Sequence, residues 1–110
     1  MRDRILSIQE ILREEISKIL LHELDLSRGV LATLTRVEAS GNLQQAKVYI
    51  SVIPETESKQ VFSQLKHGIF AIQQKLNKKL RMRPVPKIIW MAETKTKEAA
   101  RIEELLEENR

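Results

Sequence analysis

Between Gln45 and Ile53 apolar and polar side chains alternate, with Ala46, Val48, Ile50 and Val52 set against Lys47, Tyr49 and Ser51. Successive residues of a strand point to opposite faces, so this segment reads as a strand with one face to bury and one to leave in water. A single strand is not stable alone, and the preceding segment supplies a partner. Val30–Val37 (Val-Leu-Ala-Thr-Leu-Thr-Arg-Val) is rich in β-branched residues, and Ser40-Gly41-Asn42 between the two has turn chemistry. The two segments form an antiparallel hairpin, ended by Pro54, which cannot donate to a ladder. Its apolar face needs a cover.

Helical periodicity supplies one. From Asp3 to about Leu21 apolar residues recur at Ile5, Ile8, Ile11, Leu12, Ile16, Ile19 and Leu20, with Asp3 placed to cap the first turn. Gly29 breaks that pattern. Ser58 to about Leu80 is helical again, through Val61, Leu65, Ile69, Ile72, Leu76 and Leu80. Phe70 does not fit a straight helix, because it lies about 140° from Leu65 at 100° per residue. A break at Gly68 would give two successive helices and turn Phe70 inward, to join Phe62 and Trp90 in the core.

Arg83-Pro84-Val85-Pro86 is incompatible with helix and reads as extended chain. Lys87–Ala92 is then a short buried third strand. Thr94 or Thr96 could cap a last helix reaching Glu108, with Ala99, Ile102, Leu105 and Leu106 apolar and an acidic end. The order α-β-β-α-α-β-α describes an α+β domain, with a three-stranded sheet covered on one face by helices. At 110 residues the chain makes one domain.

Catalytic chemistry needs convergent groups, and the sequence offers few. His22 and His67 fall in different helices with no motif around either, and there is no HExxH, P-loop, GxGxxG or GxSxG. Glu14–Glu15 and Glu103–Glu104 sit on charged helix faces, where solvation explains them. With no cysteine, disulfides and thiolate metal sites are excluded and a reducing compartment fits. The N-terminus has no signal-peptide pattern, and no apolar run of 18 residues could span a membrane. The expectation is a cytoplasmic monomer with no catalytic residue, cofactor, metal or small-molecule substrate.

The charge distribution is more specific. From Ser58 to Ala92 there is no Asp or Glu in 35 residues, against eight Lys or Arg. The segments on either side each carry two more acidic than basic residues, so the positive charge is confined to the middle of the chain. Lys75, Lys78, Lys79, Arg81, Arg83 and Lys87 fall within 13 residues, at a helix end, a proline-stiffened connector and a strand start. The helix dipole would account for Lys78 and Lys79, but not for Arg81 and Arg83 on extended chain. These six residues are the candidate contacts to a polyanion. No recognition helix, zinc finger or zipper points to DNA, and a basic helix edge on an α/β sandwich is more usual for RNA.

Several strings, in order and at their spacing, carry a resemblance. They are the Arg2–Leu20 helix, Val37-Glu38-Ala39-Ser40, Ala46-Lys47-Val48-Tyr49-Ile50-Ser51, Leu80-Arg81-Met82-Arg83-Pro84-Val85-Pro86 and Ile102-Glu103-Glu104-Leu105-Leu106. Through them essentially the whole chain resembles the ribosome-binding factor A family of bacteria and organelles. The resemblance implies a type II KH-like RNA-binding domain over residues 1–92 and an acidic C-terminal helix or tail over 93–110. It implies a non-enzymatic factor that binds the immature 30S subunit and assists late maturation of 16S rRNA, needed most in the cold.

The chain departs from the family pattern in places. Gly68-Ile69-Phe70 stands where the family carries Ala-x-Gly between helices, and Asp25-Leu26-Ser27-Arg28-Gly29 replaces Asp-Pro-Arg. Asn42-Leu43 replaces Asp-Leu, and Glu93 replaces Asp. These mark a divergent member. An alternative of another class is a protein-interaction module whose basic face docks an acidic protein.

Overall fold

The structure is a computed structural model and describes residues 2–93, with side chains from residue 4 onward. The order is α1 (Arg2–Glu23), β1 (Leu31–Ala39), β2 (Gln45–Ile53), a 3-10 turn (Glu55–Glu57), α2 (Ser58–His67), α3 (Ile69–Lys79) and β3 (Lys87–Ala92). The expected last helix lies outside the described residues, as do its capping threonines. Since α1 begins at Arg2, Asp3 falls inside its first turn rather than ahead of it. No helix among the described residues is long and apolar enough to cross a membrane.

β2 is the central strand. It pairs antiparallel with β1 and parallel with β3, giving a mixed sheet in the order β1-β2-β3. Its alternation decides which face is covered: Ala46, Val48, Ile50 and Val52 are all buried, against Leu12 and Ile16 of α1, Leu65 of α2, and Ile72 and Leu76 of α3. The register keeps that face continuous, with Leu34 opposite Ile50, Val37 opposite Val48 and Ile88 opposite Ala46. Between Leu34 and Arg36 the register shifts by one residue. This bulge lets Ala32 and Leu34 face the core on one side of it and Val37 on the other, three positions later.

The third strand occupies the expected residues but is an edge strand, and only Ile88 in it is buried. Trp90 is half-buried, and its indole N–H donates to the Leu65 carbonyl at 3.0 Å. Phe62 packs against the core from a half-buried position.

Glutamine side chains join the elements where no ladder can. Gln64 of α2 accepts from Asp25 N at 2.9 Å and donates to Asp25 O at 2.8 Å, holding the segment that follows α1. Gln73 of α3 does the same for the start of β3, accepting from Ile88 N at 2.9 Å and donating to Pro86 O at 3.1 Å. At the hairpin turn Leu43 takes a left-handed φ of 58°, a conformation that costs a branched side chain. The Ser40 hydroxyl accepts from the amides of Gln44 and Gln45 and steadies that turn.

The helix break falls at Gly68, as the sequence predicts, with φ −87° and ψ 1°. Phe70 corrects the expectation attached to it. The ring is 72% exposed. Ile72 and Leu76 set the inward stripe of α3, and Phe70 lies about 160° around the helix from Ile72. The break therefore re-registers α3 on its own apolar residues and turns Phe70 to solvent.

Candidate nucleic-acid interface

α3 ends because Leu80 leaves helical geometry at φ −97° and ψ 142°, its N–H still bonded to Leu76 O, and Pro84 cannot resume a helix. Leu80 and Pro86 are buried, and they pin the connector to the domain at both ends. The charged residues between and before them are thereby displayed from fixed backbone. Within α3, Lys78 lies opposite the stripe of Ile72 and Leu76, while Lys75 and Lys79 share the flank facing α1.

The six expected contacts do not form one patch. Lys79 and Arg81 stand together with Arg4 of α1 around a groove of about 480 Å³, floored by Ile8, Leu80 and Met82. Lys78 is exposed beside them in the last turn of α3, at the negative end of the helix dipole. Among the described residues, Lys78, Lys79, Arg81 and Lys87 have no carboxylate partner within ion-pair distance.

The other three are placed differently. Lys75 is paired with Glu23 at the end of α1, which neutralises much of its charge locally. Arg83 turns back on its own chain, donating from Nη1 to Leu80 O at 2.8 Å and to Met82 O at 2.7 Å. Those carbonyls follow the end of α3, so Arg83 fixes the connector as well as carrying charge. Lys87 precedes the buried Ile88 in β3 and projects from the sheet face opposite the helices.

Arg4 was not among the expected contacts. It sits one turn before Ile8 on the stripe that faces the core, which is a signal, but only the packing of α1 beside the end of α3 makes that signal meaningful. The groove is therefore a product of the tertiary fold.

The open sheet face carries a second charged cluster, in which the cation is already engaged. Arg36 stacks over the Tyr49 ring at 3.8 Å, pairs with Glu38, and donates from Nε to Glu93 at 3.1 Å. The Glu93 hydrogen bond is the main cause that raises the Arg36 pKa, opposed by partial burial. Burial, followed by the charge of Glu38, pushes the Tyr49 phenol above its ordinary value. Tyr49 thus faces away from the core as its alternation predicts, but its ring is already covered.

A family model described as ribosome-binding factor A matches residues 4–106 of the chain. Proteins of that name from Desulfitobacterium hafniense (strain DSM 10664 / DCB-2) and Prochlorococcus marinus (strain MIT 9312) are each 32% identical to it. The first aligns over 90% of this chain and 80% of its own length, the second over 96% and 83%. The crystal structure of ribosome-binding factor A from Thermus thermophilus superposes with a TM-score of 0.66 at 18% identity, over 80% of this chain and 93% of that one. A Thermus thermophilus homology model fitted into the cryo-EM map of a complex of 30S with ribosome-binding factor A gives a TM-score of 0.64 at 20% identity, over 76% and 88%.

Proposed function

The chain belongs to the ribosome-binding factor A family, and from that premise we propose that it binds the immature small ribosomal subunit in the cytoplasm and assists late maturation of 16S rRNA. The observation that carries the reading is the cationic rim formed by Arg4, Lys79 and Arg81, with Lys78 beside it, the three from α3 and the connector lying on a stretch from Ser58 to Ala92 that contains no carboxylate. Such a rim meets phosphates, which supply most of the affinity in a salt-dependent interaction. The Thermus thermophilus protein's fit into a 30S complex supports the same partner.

In this reading residues 1–92 carry the RNA contacts, and 93–110 form an acidic C-terminal segment outside them. Lys78, Lys79 and Arg81 contact phosphate directly, joined by Arg4. Lys75 and Arg83 contribute charge from positions already engaged in the fold. Lys87 reaches RNA only if the subunit also touches the sheet face. In this reading the protein works by binding rather than by catalysis: His67 is bonded to Ser63 of its own helix, and His22 lies in the last turn of α1.

Sedimentation of a cell extract tests this. The protein should travel with free 30S subunits and their precursors, and a strain lacking it should accumulate 16S precursor, most strongly in the cold. Association with translating ribosomes, or with no ribosomal particle, would overturn the reading. The apolar floor of the groove favours a second reading, in which the basic rim docks an acidic protein. Treatment with RNase separates the two, since only a protein partner would survive it.

A further inference from the structure

Phe70 contributes little to folding from where it stands. Burying a phenylalanine ring stabilises a domain substantially, and this one is left 72% exposed at the second position of α3. Nor does helix propensity favour it over alanine. An isolated exposed apolar residue is ordinary on protein surfaces. What separates Phe70 from Leu6, Ile11, Leu21, Leu31 and Ile53, the other large exposed apolar residues among those described, is its aromatic face and its charge environment.

Its own helix provides that environment. Gln74 follows one turn later and Lys78 two turns later along the same outward stripe, about 6 and 12 Å along the axis. Lys66 lies one turn before it, in the last turn of α2. No carboxylate occurs anywhere from Ser58 to Ala92. Phe70 is thus a bare ring within a run of cations, and it shares a helix face with one of the proposed phosphate contacts.

The remaining aromatic rings are occupied. Tyr49 lies under Arg36 with its hydroxyl on Glu38, Trp90 is bonded to Leu65 O, and Phe62 packs on the core. The His67 ring is turned to Ser63. Sequence-tolerant binding of unpaired RNA combines cations along the backbone with a ring on which a base can stack. Among the Phe, Tyr and Trp residues, only Phe70 offers an exposed ring free of such contacts.

We infer that Phe70 stacks on an unpaired base of the bound RNA, while Lys78, two turns along the same face, holds a phosphate of that strand. The inference rests on the RNA-binding reading above and gives it a preference, for single-stranded over fully paired RNA.

The test uses the full chain with two probes, a single-stranded oligouridine and a blunt RNA duplex of equal length, over a series of salt concentrations. Phe70→Leu keeps an apolar side chain and removes the π face. It should weaken binding of the single strand by about 5- to 150-fold, leave duplex binding unchanged, and leave the salt slope as in the wild type. Phe70→Tyr and Phe70→Trp should bind as the wild type does. The tryptophan variant's fluorescence should be quenched by RNA beyond any change from Trp90. Equal binding of the single strand by Phe70→Leu and wild type overturns the inference while leaving RNA binding intact. So does loss of affinity in all three variants alike. A concentration-dependent dimer of the wild type that Phe70→Leu abolishes also overturns it, because the ring would then be a self-contact. A wild type that binds neither RNA nor 30S subunits removes the underlying reading, and this inference falls with it.

Discussion

The guanidinium of Arg36 lies 3.8 Å from the ring centre of Tyr49, its partner across the β1–β2 ladder. From there it continues over β2 to the carboxylate of Glu93, immediately after β3. One side chain therefore ties the two outer strands together across the central one, on the face that the helices do not cover. The Thr35 hydroxyl, at the bulge, adds a 3.0 Å hydrogen bond to the same carboxylate.

Arg36→Met should cost about 1 kcal/mol, combining a partly exposed cation–π contact and a surface ion pair. A double-mutant cycle with Tyr49→Leu, read by urea unfolding, should give a coupling of about 0.5–1 kcal/mol that shrinks as salt is added. A coupling of zero would mean the stacked geometry has no energetic weight.

Tyr49 is the only tyrosine in the chain, so phenolate absorbance near 295 nm reports it alone. Its folded pKa is raised, so its midpoint should lie above the ordinary value of about 10 and return to it in denaturant. The sign for stability follows from linkage. Below about pH 10 the phenol is neutral in both states and its contribution is constant. As pH rises through the window between unfolded and folded values, the unfolded chain ionises first and stability falls. Tyr49→Phe should abolish that part of the alkaline loss.

Lys79→Ala with Arg81→Ala should reduce the slope of log K against log salt by about 0.7–0.9 for each phosphate contact removed. Unfolding free energy should stay within about 0.5 kcal/mol of wild type, since both are exposed and have no ion-pair partner among the described residues. Arg83→Ala should behave differently. It loses two hydrogen bonds to backbone carbonyls, and should destabilise the domain by about 1 kcal/mol in the absence of any RNA.

Gln73→Ala leaves the Ile88 amide and the Pro86 carbonyl without their partner at a part-buried position. A loss of about 1–3 kcal/mol is expected. Amide exchange at Ile88 should speed up more than exchange at Val48 in the central strand, which separates local loosening of β3 from a uniform fall in stability.

The elements were legible because each carries its own period. The alternation of Ala46, Val48, Ile50 and Val52 names β2 and its buried face, and the glycine at position 68 names the break. Pro84 and Pro86 name the connector. What could not be read is how elements face one another. The break at Gly68 reads as turning Phe70 inward, off the line set by Leu65, whereas Ile72 and Leu76 orient α3 and leave Phe70 outward. Arg83 looked equivalent to Arg81 in the string, yet its guanidinium folds back on Leu80 O. Arg4 became a neighbour of Lys79 only through helix packing. A charge count finds the cations but not which of them are already engaged.

The parallel pairing of β2 with β3 has a temporal side. β1 and β2 are joined by a short turn, but Gln45 meets Lys87 only after 42 further positions have been synthesised. Contacts of high sequence separation carry the larger loop-closure cost and form late. The connector that displays Arg81 lies just before β3, and its Pro86 end is anchored only when that strand docks. A half-made or partly unfolded chain thus has the hairpin but not the sheet's far edge, so the fixed display of Arg81 arrives with the completed fold.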